Sequence, residues 1–385
     1  MYHLFFKLVL QRIDAERAHA LAKRSLRVVR ATPVGRAIVR WLVGPPDPCL
    51  ETQALGLTFA SPIGVGAGVD KEADWFDDLG ALGFGFVEVG TITAQSQEGN
   101  PRPRVERLAD DRAILNRMGC PNPGAATAAA RLARRRPPSI VGANIGKSMP
   151  VSIEAASSDY RTSLRHLAHI SDYLVLNVSS PNTPGLRELQ DVDRLRRLIT
   201  DLRHELAVMG CSVPLLIKID PDLEDEHITD VVTLAIEQGV AGIVAVNTTV
   251  DRASLIVASR RAAPFEDGGV SGAPLRGRAT EVLRSIRKTA GDGLVLISVG
   301  GVETAEDVWE RIIAGATLVQ VHTAFIYEGP AWPSRVNRDL ARKVRDAGFS
   351  SVQELVGLDE RSQGSRERLN GKLASVGAEA ALHQS

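Results

Sequence analysis

The chain has 385 residues, of which 44% are hydrophobic, with 46 basic and 46 acidic side chains. This composition is typical of a globular protein and excludes a disordered or fibrous chain. The balanced charge predicts no nucleic-acid partner, and no run of about 18 apolar residues predicts a membrane span. Three isolated cysteines and scattered histidines predict neither a disulfide framework nor a metal site.

Residues 1–44 predict two short, basic, amphipathic helices. Nine basic and two acidic side chains give this segment a net charge of +7. Apolar residues recur among them at helical spacing: Leu4, Phe5, Leu8 and Val9, then Ala18, Leu21, Ala22, Leu26 and Val29. Such helices favour a peripheral position on an anionic membrane, here its cytoplasmic face. The alternative is a helical hairpin that packs on the main domain with its charges in solvent.

After Gly44-Pro45-Pro46, short apolar runs alternate with helical stretches such as 230–238 and 304–314. Eight runs predict strands at 62–67, 84–89, 140–145, 173–178, 213–219, 242–246, 294–299 and 318–321. This alternation predicts a parallel sheet, and eight units over 45–345 predict a (β/α)8 TIM barrel. An open, doubly wound sheet is the alternative, although residues 64–68 lack the GxGxxG spacing. Residues 346–385 predict a partly disordered extension that is rich in Ser, Gly, Glu and Ala from about Arg361.

Two groups of residues follow the predicted strands, and in a barrel they meet at one active site. Backbone N–H groups of Ser271-Gly272, Gly300-Gly301 and a helix opening near Glu303-Thr304 predict a phosphate site, together with His322-Thr323. The second group consists of amides and lysines: Lys71, Asn116, Asn144, Asn177, Asn182, Lys218 and Asn247. Asparagine both donates and accepts hydrogen bonds, so this group fits a flat ligand rich in C=O and N–H.

The stretch 176–187 changes abruptly from apolar residues to amides and hydroxyls. Ser180 lies within it, with no acid or cation beside it in sequence, and is a candidate proton acceptor. A phosphate site next to a planar, amide-binding site suggests flavin mononucleotide (FMN), with a small cyclic amide stacked on the flavin.

These residues resemble the motifs of the class 2 dihydroorotate dehydrogenases, which are quinone-linked, membrane-associated flavoproteins of pyrimidine biosynthesis. The resemblance extends from about Tyr2 to Gly357. The motifs that carry it are Gly68-Val69-Asp70-Lys71, Gly90-Thr91-Ile92-Thr93, Asn116-Arg117-Met118-Gly119, Asn144-Ile145-Gly146-Lys147, residues 177–187, Lys218 with Pro221-Asp222-Leu223, Asn247-Thr248-Thr249, Gly269-Val270-Ser271-Gly272 and Gly300-Gly301.

The resemblance implies that the chain oxidises dihydroorotate to orotate, with Ser180 as the base, hydride transfer to flavin N5 and a quinone as electron acceptor. The implied substrate-binding residues are Lys71, Asn116, Asn177, Asn182, Asn247 and Thr248. Implied FMN contacts are Ala67, Gly68, Thr91, Asn144, Asn177, Lys218, Ser271, Gly272, Gly300, Gly301, His322 and Thr323. His19 and Arg107 are placed by the same resemblance at the inner end of a quinone tunnel.

The chain departs from the family pattern at a few positions. Cys120-Pro121 stands where the lid loop usually has Phe-Asn, Glu106 and Val69 stand where Phe is usual, His322 replaces a Tyr, and Asp220 replaces an Ala. The alternative function is therefore a paralogous FMN oxidoreductase that acts on another cyclic amide or unsaturated ring with a different acceptor. A barrel without enzymatic activity is a third hypothesis, which flavin binding would contradict.

Overall fold

A computed structural model describes Tyr2, Phe6 and residues 8–136, 139–256, 259–260 and 267–359 of the chain. The predicted apolar positions Leu4 and Phe5 and the predicted tail from Arg361 lie outside the described residues.

The core of the molecule is a closed barrel of eight parallel strands. In chain order the barrel strands are β3 (Ile63–Asp70), β4 (Phe86–Ile92), β7 (Ile140–Ile145), β8 (Tyr173–Asn177), β9 (Leu215–Ile219), β10 (Gly242–Ala245), β12 (Val295–Val299) and β13 (Leu318–Val321). All eight coincide with predicted strands, so the predicted TIM barrel is confirmed. The barrel closes where β13 pairs with β3, with Val319 opposite Ile63 and Val321 opposite Val65.

Helices surround the barrel and cover its apolar outer face. They are α3 (Phe76–Gly80), α4 (Ala125–Leu132), α5 (Ala156–Leu167), α6 (Val192–Val208), α7 (Asp225–Glu237), α8 (Arg276–Ala290), α9 (Ala305–Ile313), α10 (Thr323–Glu328) and α11 (Trp332–Asp346). The helical stretches predicted at 230–238 and 304–314 correspond to α7 and α9. A 3₁₀ turn at Val352–Leu355 follows α11.

A hairpin of β1 (Thr52–Ala54) and β2 (Leu57–Phe59) closes the amino-terminal end of the barrel. The fully buried Phe59 packs edge-on against Phe86, the first residue of β4. A Cβ atom on Gly64 would lie 2.4 Å from the Phe86 ring, so glycine is required there to admit the aromatic side chain. With this end filled, the carboxyl ends of the strands are free to form a site.

A separate antiparallel sheet lies beside the barrel and was not predicted. It consists of β5 (Val105–Leu108), β6 (Ala113–Asn116) and β11 (Gly269–Gly272), which we call the strap. Asn116 pairs with Gly269, so two segments that are distant in sequence meet there. The Ser271 and Thr323 hydroxyl oxygens lie 2.8 Å apart and connect the strap to the start of α10.

The second predicted amino-terminal helix, with apolar residues from Ala18 to Val29, corresponds to α1 (Ala15–Ala31). The segment of the first lies largely outside the described residues, and α2 (Pro33–Val43), which was not predicted, forms a hairpin with α1. Cationic side chains of α1 pair with the loop after β3 and with α3: Lys23 with Glu72 at 2.6 Å and Arg30 with Asp78 at 2.6 Å. Part of the predicted positive charge is thus neutralised by the barrel. The opposite face leaves Trp41 81% exposed. Among the described residues, no helix is long and apolar enough to cross a membrane.

Candidate active site

One continuous cavity of about 1220 Å³ opens at the carboxyl ends of the barrel strands. The barrel, the strap and α1 all contribute to its wall. The predicted site residues that line it are Ala67, Gly68, Lys71, Thr91, Asn116, Asn177, Ser180, Asn182, Lys218, Asn247, Thr248, Ser271, Gly272, Gly300, Gly301, His322 and Thr323, with His19 and Arg107 toward α1. Asn144 is the exception, because it is fully buried behind Thr91 and does not line the cavity.

Two lysines supply positive charge to the cavity. Lys71 follows β3, and Lys218 lies on β9 with 6% of its surface exposed. Burial lowers the pKa of Lys71 to about 8, although Glu16 and Asp70 oppose this shift. Burial also lowers the pKa of Lys218, and Glu88 opposes that shift. Within the described ranges, neither ammonium group donates a hydrogen bond to another residue, so both are available to an anionic or carbonyl-rich ligand.

Amide and hydroxyl groups from three strands form a connected row along the cavity. Asn177 donates to Thr91 Oγ1 at 2.7 Å, and Asn247 donates to Asn177 Oδ1 at 3.2 Å and to Ser179 Oγ at 2.9 Å. On the strap side, Asn182 donates to Asn116 Oδ1 at 3.0 Å. These contacts fix each amide, and pre-oriented donors and acceptors of this kind can recognise a planar amide ring.

The Ser180 hydroxyl lies in this row with 7% of its residue surface exposed. Its oxygen accepts a hydrogen bond from the Asn182 backbone N–H at 3.3 Å. The nearby Cys120 sulfur lies 4.0 Å from Thr183 Oγ1, and burial raises the pKa of the Cys120 thiol. A thiol that stays protonated is not a reactive thiolate, so Cys120 fits the role of a small lid residue.

Glycines shape the predicted phosphate end of the cavity. Gly272, Gly300 and Gly301 have φ values of +105°, +124° and +71°, which other residues rarely adopt. The prediction of free N–H groups at Glu303-Thr304 is wrong, because Asp307 Oδ2 accepts both of them, at 2.9 and 2.8 Å, in a capping box. The Glu303 carboxylate is itself paired, with Arg112 at 2.7 Å.

Three buried polar atoms on residues that line the cavity have no hydrogen-bond partner in the described part of the chain. They are Trp75 Nε1 toward α1, and His322 Nδ1 and Gln320 Oε1 on the side of the barrel strands. Burial, followed by the charges of Lys71 and Lys218, lowers the pKa of His322 to about 3, so the ring is neutral at physiological pH. Unpaired buried polar atoms are costly, and those of His322 and Gln320 therefore indicate a polar ligand that would form hydrogen bonds with them.

Toward α1 and the strap the cavity becomes apolar. Phe6, Leu10, Ala18, Leu26, Leu82, Phe325 and Ile326 line it there. His19 packs edge-on against Trp75, with ring centroids 5.4 Å apart, and burial lowers its pKa to about 3. Arg107 donates to the Ile13 carbonyl oxygen. A polar site thus continues into a passage with apolar lining that ends beside α1.

Glu88 and Gln320 were missed by the sequence analysis. Both are fully buried on barrel strands, and Gln320 Nε2 donates to Glu88 Oε2 at 2.6 Å. The sequence contained a signal for Glu88, because a single carboxylate within a strand that is predicted to be buried requires hydrogen-bond partners.

Lysines, amides and a serine that converge at the carboxyl ends of a (β/α)8 barrel define a barrel enzyme. A family model described as dihydroorotate dehydrogenase matches residues 49–344. The chain is 50% identical to the dihydroorotate dehydrogenase (quinone) of Thermobifida fusca, over 93% of this chain and 97% of that protein. It is also 50% identical to the protein of the same name from Streptomyces coelicolor, over 94% and 99% of the two chains.

Solved structures give the same result. The chain aligns with DHODH from Eimeria tenella in complex with ferulenol at a TM-score of 0.78 and 36% identity, covering 86% of this chain and 96% of that one. The chain belongs to the dihydroorotate dehydrogenase family, and the resemblance predicted from its motifs is confirmed.

The Lys71 ammonium should lose its proton at about pH 8, so the cation is present at neutral pH and is lost as pH rises through this value. Reductive ¹³C-methylation followed by an NMR titration of the lysine signals measures this pKa directly. The Lys71→Met variant assigns the signal by removing it. A midpoint at the ordinary lysine value of 10.5 would contradict the burial described for this side chain.

Proposed function

We propose that this protein oxidises dihydroorotate to orotate with FMN as its cofactor and a quinone as electron acceptor. The observation that carries the proposal is the convergence of Ser180, two lysines and the amide row in a cavity that continues into an apolar passage. The printed names of the relatives, dihydroorotate dehydrogenase (quinone), support the substrate and the acceptor.

The residues around the polar part of the cavity fit FMN. Ser271, Gly272, Gly301 and Thr323 offer hydroxyl and backbone N–H groups to the phosphate, where glycines leave room for it. The unpaired His322 Nδ1 and Gln320 Oε1 and the Lys218 ammonium offer polar partners to the flavin ring. When bound, flavin supplies hydride acceptance at N5 and passes the electrons on to a second substrate.

In this proposal Ser180 removes the C5 proton of dihydroorotate. The substrate ring lies among Asn116, Asn177, Asn182, Asn247 and Thr248, which hold its C=O and N–H groups. Lys71 pairs with the substrate carboxylate, and its charge also offsets negative charge that develops on the ring. A serine hydroxyl is a weak base in water, so the low exposure of Ser180 and its fixed position next to the substrate are part of its activation.

Replacement of Ser180 by alanine should leave FMN bound, because the hydroxyl belongs to the substrate side of the cavity. We expect flavin reduction by dihydroorotate near neutral pH to slow by about 10² to 10⁴-fold, the usual contribution of a general base. Anaerobic stopped-flow absorbance measures this rate. Ser163→Ala is the matched control, since Ser163 is a buried serine on α5 outside the cavity. Rapid reduction of the Ser180→Ala flavin would reject Ser180 as the base.

We also propose that the apolar passage admits the quinone and that the amino-terminal helices lie on the cytoplasmic face of a membrane. Val34, Trp41 and Leu42 are 69%, 81% and 58% exposed on α2, next to exposed Arg36 and Arg40. An exposed apolar surface flanked by arginines favours contact with an anionic bilayer. A quinone that entered beside α1 would reach His19 and Arg107 along the apolar lining of the passage.

Substitution of Ala18 by tryptophan should obstruct the passage, because Ala18 is buried on α1 and lines the cavity. Reduction of the flavin by dihydroorotate should be unchanged, whereas reoxidation by a quinone should slow by about tenfold or more, given roughly 1–3 kcal/mol for overpacking. The two half-reactions are measured separately by stopped-flow absorbance. Ala37→Trp places the same side chain on the exposed surface of α2 as a control. Equal reoxidation in both variants would contradict this route.

A further inference from the structure

A carboxylate lies inside the barrel, beneath the cavity. Glu88 on β4 is fully buried, and both of its oxygens accept hydrogen bonds: Oε1 from Asn144 Nδ2 at 2.8 Å and Oε2 from Gln320 Nε2 at 2.6 Å. The negative charge of Glu88 acts on the Lys218 ammonium, whose pKa it raises against the effect of burial. Burial of a carboxylate is expensive, so an interior glutamate with both oxygens hydrogen-bonded indicates a specific role.

From Glu88, hydrogen bonds extend side chain by side chain to the cavity wall. Asn144 turns its NH₂ toward Glu88 and accepts a hydrogen bond from Thr91 Oγ1 at 2.6 Å. Thr91 Oγ1 in turn accepts from Asn177 Nδ2 at 2.7 Å. Asn177 then presents Oδ1 to Asn247 Nδ2 at 3.2 Å. Thr91, Asn177 and Asn247 line the cavity, whereas Glu88 and Asn144 do not.

The direction of these hydrogen bonds follows from the chemistry of their first member. An ionised carboxylate only accepts, so Asn144 must present its NH₂ to Glu88 and its oxygen to Thr91. The Thr91 hydroxyl has one proton, and once it is donated to Asn144 the oxygen must accept from Asn177. The Asn177 amide is thereby fixed with its oxygen toward Asn247. A neutral amide in place of Glu88 would permit the reverse orientation at every step.

We propose that Glu88 is a positioning residue that sets the donor and acceptor orientation of Thr91, Asn177 and Asn247 around the ligand. This inference rests on the proposed function, because the ligand so oriented is the flavin with its stacked pyrimidine. Glu88 touches neither; it acts through Asn144. Without it, Asn177 and Asn247 could rotate and exchange N–H for C=O at the cavity wall, and recognition of a ring with a fixed pattern of donors and acceptors would weaken.

The test is the dissociation constant of orotate from the oxidised holoenzyme, measured by the change in flavin absorbance without turnover. Glu88→Gln keeps the shape of the side chain but replaces a carboxylate, which only accepts hydrogen bonds, by an amide that also donates them. Asn144→Leu interrupts the row at its second member without altering charge. Both variants should retain FMN and raise the orotate dissociation constant by about tenfold or more. This is the loss of affinity expected when buried hydrogen-bonding groups face the ligand in the wrong orientation.

Glu205→Gln is the matched control. Glu205 is also a buried carboxylate, but on α6, where it pairs with Arg161 and Arg165 at 2.8 and 2.6 Å outside the cavity. This control should bind orotate as the wild type does. If Glu88→Gln fails to fold, Asn144→Leu decides alone.

Two results would overturn the proposal. Wild-type orotate affinity in Asn144→Leu would show that orientation is not transmitted along the row. If only Glu88→Gln lost orotate affinity, the effect would be due to removal of the Glu88 charge that acts on Lys218. Absence of any orotate response in the wild-type holoenzyme would contradict the proposed function itself, together with the role of Glu88 that depends on it.

Discussion

Closure of the barrel between its last and first strands is the constraint on which the site depends. Hydrogen bonds between β13 and β3 bring residues that are about 250 positions apart in sequence to the same wall of the cavity. The approach is tight at this seam: a Cβ atom on Gly68 would lie 3.0 Å from His322 Nε2, and Gly68 has a φ of +103°. Because all eight strands run parallel, their carboxyl ends meet at one end of the barrel, and Lys71, Ser180 and Lys218 line the same cavity there.

The electrostatics of the cavity follow from its position inside an apolar shell. Burial lowers the pKa of both lysines and keeps His19 and His322 neutral, so Lys71 and Lys218 supply the positive charge at the strand ends of the cavity. The amide row has no net charge, but each of its hydrogen bonds has a fixed donor and a fixed acceptor. Under the proposed function, these surroundings attract an anionic substrate, and the low exposure of Ser180 favours its proposed role as the base.

The barrel could be predicted from the sequence because strands buried on both faces appear as continuous apolar runs. The strap could not, since β5 and β6 are only four residues each, β5 is mostly half-buried and β6 is mostly buried, so neither strand shows an alternation of buried and exposed residues that would distinguish it from a loop. Most of the site could be predicted from residues at the strand ends. Asn144 was predicted to line the site but does not, because side-chain packing, which the sequence does not reveal, places Thr91 at the cavity wall and Asn144 behind it. The helix opening after Glu303 was misjudged although Thr304 and Asp307 have the spacing of a capping box.

The central claim is that the converging strand ends hold one flavin that dihydroorotate reduces directly. The most direct test is anaerobic addition of dihydroorotate to the purified holoenzyme while flavin absorbance and orotate are recorded together. The account predicts loss of the oxidised flavin spectrum with one orotate formed per flavin reduced. A flavin that stays oxidised, or a purified protein that contains no flavin, would contradict it.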